Sequence, residues 1–509
     1  MYLTNREGFG DNGNAIYMGG YQIYALLLTL SSIGVPNAIS KLIAERIARG
    51  DKKGADRVFK IAFVTFAIIG FIGTLILFLG ARVISTYWLA IPECEYTLIA
   101  LSPAIFFVSI SSVVRGYFNG IQKISNTAKS QTFEQIFKTT LTILFVEIVA
   151  IFVSENTAIM AAGANLATTF ATFLSFTYIF ALCQKNRKLE KEEILKSNIS
   201  TEKESAKSIV KQILAVSIPM SVSSLLSSIN KNIDSATVVR ILKPILGETV
   251  AKARYGILSS KVDILTSMPL AFNIAFATAL VPAISSARVK NDTKTINKRL
   301  SFSLLVTILI GLPCTIGMYL YANQILSLLF PNASDGGTLL AISAFTIIFT
   351  VLAQTINGAL QGLGKVKVPA IALGCGVLVK LITNILLIPV AGIYENGAAI
   401  GSVLCHIVSF TIVYNVLKST VKLEFSIFKM MLKPIIATIV MSIVSYSLYM
   451  FVLNIGIIES LATVIGILSA VVVYGIMVII LKILSKEDIL SLPKGEKIYI
   501  ILNKFGIYN

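Results

Sequence analysis

Stretches of at least about 18 residues with almost no charge recur along the chain, the length a helix needs to cross a bilayer. They fall at 16–38, 58–82, 97–118, 131–153, 157–183, 212–240, 257–287, 300–322, 337–361, 367–391, 396–418, 428–453 and 459–483. In hydrocarbon every backbone amide must find its partner within the segment, so these runs are predicted to be helices. Barrel strands would show alternating segments of about ten residues, and none occur. The expected fold is an all-α integral membrane protein with about 13 spans.

The connecting segments set the orientation. Segments 41–60, 119–130, 184–211, 288–299, 362–367, 418–429 and 482–509 hold 32 of the 44 Lys and Arg residues. The opposite set holds Arg6, Arg82, Arg240, Lys243, Lys252 and Arg254. Positive charge is retained on the cytoplasmic side, so the first set, with the C-terminus, is expected on the cytoplasmic face of the membrane. The same asymmetry accounts for most of the net charge of +18 without a nucleic-acid partner. Composition agrees: 55% of residues are hydrophobic and 14% charged, against roughly 25% charged in a soluble domain. Five scattered cysteines, with no C-x-x-C pair, suit helix interiors better than a disulfide or zinc framework. The polar, glycine-rich start Met1–Asn14 does not read as a secretory signal. Outer segment 241–256 is basic against the rule and is expected to extend a positive field to an outer mouth.

Internal repetition organises the spans. Arg115-Gly116-Tyr117-Phe118-Asn119-Gly120-Ile121-Gln122-Lys123 matches Asn357-Gly358-Ala359-Leu360-Gln361-Gly362-Leu363-Gly364-Lys365 at both glycines and the final lysine, offset by 242. Lys138 meets Lys380 at the same offset. Val35-Pro36 through Ser40 resembles Val281-Pro282 through Ser285, and Ser175-Phe176-Thr177 recurs as Ser409-Phe410-Thr411. The expectation is two pseudo-symmetric helical bundles related by an axis along the membrane normal. Their bounds are 1–190, a basic linker 191–211, and 212–420, followed by two extra spans and a tail at 421–509. Span 16–38 aligns with 257–287 and nothing aligns with 212–240, so one first helix is expected to be missing. Restoring it gives six, six and two helices.

Candidate chemistry is sparse. The single histidine, His406, lies in an apolar span and reads as a buried polar residue. Gly358–Lys365 is not a phosphate-binding Walker loop, because the spacing is wrong and Val366 stands where Ser or Thr should bind magnesium. No enzyme activity, cofactor or metal site is expected. Two bundles without an engine describe a secondary transporter with its site near the midplane. Ionisable groups inside spans are expensive and mark such sites. Lys380 lies at the middle of its span, a position that suits a central cavity or a buried pair. Lys138 follows Glu134 by one turn, Arg115 lies near the inner end, Lys231 and Asp234 share a face at i,i+3, and Lys261 lies two residues before Asp263. Glu147 has no evident partner. A cavity gathering Lys380, Lys138, Lys231, Asp234, Lys261 and Arg115 from both halves would attract a multivalent anion such as a pyrophosphate.

Three segments carry a family resemblance: Gly34-Val35-Pro36-Asn37-Ala38-Ile39-Ser40-Lys41-Leu42-Ile43-Ala44-Glu45, Ser102-Pro103 through Arg115–Gly120 to Glu134-Gln135, and Ala279-Leu280-Val281-Pro282-Ala283-Ile284-Ser285. The chain resembles the stage V sporulation protein B/YtgP group of polysaccharide exporters, relatives of the lipid II flippase MurJ in the MATE-like (MOP) superfamily. The resemblance implies 14 helices in two lobes and movement of undecaprenyl-pyrophosphate-linked oligosaccharide to the outer leaflet by alternating access. The last two helices would hold the prenyl tail, and a coupling ion, H+ or Na+, joins the lipid-linked sugar and the bilayer as an expected partner of a monomeric protein. The family's functional arginines lie largely in the first helix, and a further one falls near Gln22, which is not basic. Lys261 lies close to the basic residue expected in helix 8. The alternative is a MATE-type multidrug or cation antiporter, which would favour an acidic cavity. A glycan polymerase would need clustered acids or histidines in an outer loop, where only isolated acids such as Glu93, Glu95 and Asp335 occur.

Overall fold

The computed structural model describes residues 1–32, 34–153, 156–196, 204–490, 496 and 499. Part of the expected linker (197–203) and most of the tail beyond 490 lie outside the described residues. Helices in chain order are α1 (Tyr2–Asn5), α2 (Gly10–Ser32), α3 (Gly34–Ala48), α4 (Lys52–Val83), α5 (Cys94–Gly120), α6 (Ile124–Phe152), α7 (Thr157–Lys196), α8 (Ala206–Leu246) and α9 (Glu248–Gly256). They continue as α10 (Asp263–Val289), α11 (Thr293–Leu320), α12 (Ala322–Leu329), α13 (Gly337–Gly362), α14 (Val368–Leu387), α15 (Asn396–Thr420), α16 (Ile427–Asn454), α17 (Glu459–Ile480) and α18 (Lys486–Leu490). Two π-helical turns interrupt the order, at Ile84–Trp88 and Ile257–Val262. Among the described residues twelve helical runs are long and apolar enough to cross a membrane, and they coincide with all the expected spans except 212–240. That remaining stretch lies within α8, where the side chains of 219–223 fall outside the described residues.

Contacts divide the chain into two compact units, Met1–Ser260 and Lys261–Asn509. Sequence reasoning begins the second bundle at 212; in the structure α8 and α9 pack on α2, and α8 also on α3 and α4, within the first unit. In the first unit α5 is central, packed on by α2, α3, α4 and α7. Its Leu98, Leu101, Val113, Val114 and Phe118 are fully shielded. In the second unit α13 takes that place among α10, α11 and α15, with Leu340, Ile347, Val351, Ile356 and Leu360 shielded. Outer helices do the reverse. Ile68, Phe71, Leu75, Ile76 and Leu79 of α4, and Leu468, Val471, Val472 and Ile480 of α17, are exposed. An apolar surface of that extent is stable only against lipid. The chain is a multi-pass membrane protein.

Local chemistry repeats between the units. Asp51 caps α4 by accepting from Gly54 N at 2.7 Å, and Asp292 caps α11 by accepting from Thr295 N at 3.0 Å. The residues before them, Gly50 and Asn291, are both left-handed, with φ of 77° and 54°. Gln122 and Gly364 repeat that conformation after α5 and α13, with φ of 61° and 78°. The matched glycines are contact points in both units. A Cβ on Gly120 would lie 2.9 Å from Ile43 Cβ and 3.0 Å from Ser40 O; on Gly362 it would lie 3.0 Å from Ile284 Cβ and 2.8 Å from Val281 O. Ile43 therefore corresponds to Ile284, an offset of 241, whereas the resemblance of Val35-Pro36 to Val281-Pro282 implies 246. The glycine contact, not the proline, sets the register.

Candidate functional site

The buried cations are placed by identifiable neighbours. Arg115 lies on the innermost helix, α5, and is 8% exposed. Its Nη2 donates to Glu134 Oε2 of α6 at 2.5 Å, and lies 3.2 Å from Ser130 Oγ and 3.1 Å from Ser175 Oγ of α7. Ser130 and Ser175 are themselves bonded at 2.9 Å. A charge so deep among apolar helices is tolerable because a carboxylate and two hydroxyls surround it. A cavity of about 350 Å³ opens beside the pair, lined in part by Asn37, Ser112, Asn119, Thr127 and Gln131.

Glu134 thus serves Arg115, and Lys138, its neighbour one turn on, turns to α2. Lys138 Nζ donates to Tyr21 Oη at 3.0 Å and lies 4.1 Å from that ring's centroid. Tyr21 is one of three tyrosines along a face of α2. The Tyr17 and Tyr21 rings are stacked with centroids 6.2 Å apart, and Tyr24 follows at 5.7 Å. On α8, Asp234 is buried at 5% exposure while Lys231, three residues earlier, is exposed.

In the second unit Lys261 and Lys380 are buried, at 0% and 2% exposure. Lys261 occupies the π-helical turn Ile257–Val262, donates to Ala333 O at 2.6 Å and lies 5.6 Å from the Phe330 ring centroid. Lys380 shares the buried face of α14 with Val377, Thr383 and Asn384. Helix α15 approaches that face closely because Gly401 is bare: a Cβ there would lie 2.5 Å from Asn384 Oδ1 and 3.5 Å from Lys380 Cγ.

Two other expectations change. Glu147, unpaired in sequence reasoning, accepts from Arg6 Nε at 2.9 Å and from the Tyr2 hydroxyl. In and beside the basic outer segment, part of the positive charge is paired locally. Glu248 pairs with both Lys243 and Lys252 at 2.7 Å, Lys252 also pairs with Glu93, and Arg240 donates to the carbonyls of Tyr87 and Trp88. Sequence reasoning did not place Tyr21 or the Ser130–Ser175 pair beside the cations. The i,i+4,i+7 spacing of Tyr17, Tyr21 and Tyr24, and the repeated Ser-Phe-Thr at Ser175, were the available signals.

Comparison with known proteins adds what geometry alone does not. The sequence model of the family described as "Polysaccharide biosynthesis protein" matches residues 8–288, and that of the MatE family matches 219–386. "Stage V sporulation protein B" of Bacillus subtilis (strain 168) is 25% identical over 489 residues, 95% of this chain and 92% of its own. "Lipid II flippase MurJ" of the same organism is 25% identical over 415 residues, 79% and 75% of the two chains. A solved structure titled "Lipid II flippase MurJ, inward closed conformation" superposes with a TM-score of 0.60 at 15% identity, covering 92% of this chain and 96% of that one. That likeness gives the fold alone.

Proposed function

Since the chain belongs to the polysaccharide biosynthesis protein family, we propose that it is a flippase for a lipid-linked saccharide precursor, of the undecaprenyl-pyrophosphate type. The observation that carries the reading is the burial of its cations. Lys380 and Lys261 are at most 2% exposed within apolar helical runs. Insertion scales put a charged residue near a helix centre, as Lys380 is in Val368–Leu387, at about 2.5–3.5 kcal/mol, a cost that a packing role does not require. Such ammonium and guanidinium groups suit an anionic linker carried through an apolar medium. We assign Arg115, Lys138, Lys231 and Asp234 in the first unit, and Lys261 and Lys380 in the second, as substrate-binding residues. The tail stays in lipid throughout, and the C-terminus lies on the cytoplasmic side.

A second reading, a MATE-type cation antiporter, draws on the MatE match over 219–386. It needs acidic side chains for cationic cargo, and Glu134 is engaged by Arg115 while Glu147 is engaged by Arg6. Reconstitution into liposomes with fluorescent lipid II separates the two. Wild type should move the label between leaflets and Lys380→Ala should not. Unimpaired flipping by the variant removes Lys380 from the site. Export of organic cations without lipid II movement replaces the flippase by the antiporter.

A further inference from the structure

Arg115 is an underused donor. Three acceptors converge on its Nη2, those of Glu134, Ser130 and Ser175, although that nitrogen carries two hydrogens. Meanwhile its buried Nε has no hydrogen-bond partner among the described residues. The ion pair is therefore not the two-pronged fork that guanidinium and carboxylate form when their bond is meant to last. A single-pronged pair beside an open space can be exchanged.

The adjoining space is suited to an anion. Its 350 Å³ hold roughly ten water volumes. The polar groups on its wall besides the ion pair are amides and hydroxyls, those of Asn37, Ser112, Asn119, Thr127 and Gln131. These donate hydrogen bonds without fixing a charge. As it stands the wall is electrically neutral, because Glu134 cancels Arg115. An anion brought to Arg115 would meet the Glu134 carboxylate at the same nitrogen, and two like charges at that spacing cannot both persist in a low dielectric.

We propose that Glu134 and Arg115 form a proton-linked phosphate site, in which the anion takes the guanidinium as Glu134 takes a proton. The ionic contact between Nη2 and Oε2 breaks, a phosphate oxygen replaces the carboxylate, and a proton taken up from the buffered aqueous phase, whose acid is left as its conjugate base, bonds to the freed Glu134 oxygen. The cavity then holds one cation, the anion and a neutral acid. The inference rests on the flippase reading for the source of the phosphate and deepens it by naming the coupled ion and its carrier. The other groups that face the pair are Tyr24 of α2, which lies within the field of both charges, and Lys138, one turn along α6 and bonded to Tyr21. Helix α3 presents Asn37 and helix α7 presents Ser175, neither of which titrates. Glu134 is thus the carboxylate available to carry the proton.

The test is calorimetric titration of the full chain in lipid nanodiscs with inorganic pyrophosphate, repeated in buffers of different protonation enthalpy between about pH 5 and pH 8. Wild type should take up about one more proton per anion than Glu134→Gln, and its affinity should weaken by up to about tenfold per pH unit relative to that variant. Taking the difference removes the titration of pyrophosphate itself. Gln is nearly isosteric and can still accept from Arg115, so Glu134→Gln should bind the anion, more tightly than wild type at the alkaline end. Arg115→Gln should lose at least about tenfold in affinity, with partial rescue in Arg115→Lys. Equal proton uptake by wild type and Glu134→Gln overturns the proposal, and so does the absence of pyrophosphate binding in monodisperse wild type. Lipid II flipping is scored separately. Flipping without Glu134-dependent proton uptake rejects the linkage alone, whereas linked pyrophosphate binding without flipping rejects the cargo.

Discussion

Replacing Gly120 by alanine tests whether the repeated glycines hold the interior of each unit together. The new Cβ would lie 2.9 Å from both Cβ and Cγ2 of Ile43 and 3.0 Å from the Ser40 carbonyl oxygen. Carbon contacts are comfortable at about 3.5–4.0 Å, so α3 must retreat from α5 by about 0.6–1 Å. The neighbours are backbone and a β-branched side chain in a shielded core, where Ile43 is 0% exposed, so neither can swing aside. Overpacking of that kind costs about 1–3 kcal/mol. Alanine also gains about 0.5–1 kcal/mol of helix preference over glycine, which would blur a single measurement. Gly475 of α17 supplies the control, since a Cβ there meets nothing within 4 Å. The preference term is common to both variants, so Gly120→Ala should be less stable than Gly475→Ala by about 1–3 kcal/mol. Gly362→Ala, whose Cβ would meet Val281 O at 2.8 Å and Ile284 Cβ at 3.0 Å, should behave like Gly120→Ala. Equilibrium unfolding in mixed micelles measures all three. If Gly120→Ala unfolds at the same denaturant fraction as Gly475→Ala, the close approach of α3 and α5 is wrong.

Three further outcomes follow from particular contacts. Lys252→Met should destabilise the first unit by about 1–2 kcal/mol, discounted because Glu93 and Glu248 remain over a third exposed; a double-mutant cycle with Glu93→Gln in the same micelles should recover part of the loss. Lys261→Met keeps the volume but removes a fully buried charge, so it should fold at least as well as wild type by thermal unfolding yet flip lipid II poorly; undiminished flipping would reduce Lys261 to a cap for the Ala333 carbonyl. Hydrogen bonds from the Thr295 hydroxyl and amide hold the Asp292 carboxyl below its usual value. A depressed acid contributes stability above its unfolded value and loses it as pH falls through the folded one, so the unfolding midpoints of wild type and Asp292→Asn should converge below the ordinary carboxylate range, and a constant gap would contradict the cap.

Spans were legible in the sequence because lipid imposes one rule on every helix, a long run without charge, and that rule is local. The duplicated glycines and Lys138 with Lys380 were legible for the same reason, as identities at one offset. Partners were not, because they depend on which helices meet. Sequence spacing offered Lys138 to Glu134 at i,i+4, but α5 places Arg115 against that carboxylate and α2 places Tyr21 under the lysine. The pairing of Lys252 with Glu93 was hidden in the same way, since the two lie far apart in sequence and side by side in space. The register of α3 against α10 failed differently. A Val-Pro pair looks distinctive in sequence, yet packing follows the bare glycine that lets a backbone approach.

The two units have kept their scaffold and changed their interior. Caps, left-handed corners and glycine contacts repeat, from Asp51 with Asp292 to Gly120 with Gly362. At the offset of 242, however, Arg115 corresponds to Asn357 and Glu134 to Gly376, while Lys138 corresponds to Lys380. Gly376 is itself a packing residue, for a Cβ there would lie 2.5 Å from Cys405 O. The exchangeable ion pair is thus confined to the first unit, and the second keeps a lysine with no carboxylate at the matching place. A proton-linked site in one unit only would make the two respond differently to the same anion. Swapping them tests this: Gly376→Glu with Asn357→Arg should fail to build a second site, because α15 already fills the space that the carboxylate would need. Pyrophosphate titration of that double variant should therefore show the wild-type proton uptake, and a doubled uptake would mean that the asymmetry lies in the residues alone and not in the packing around them.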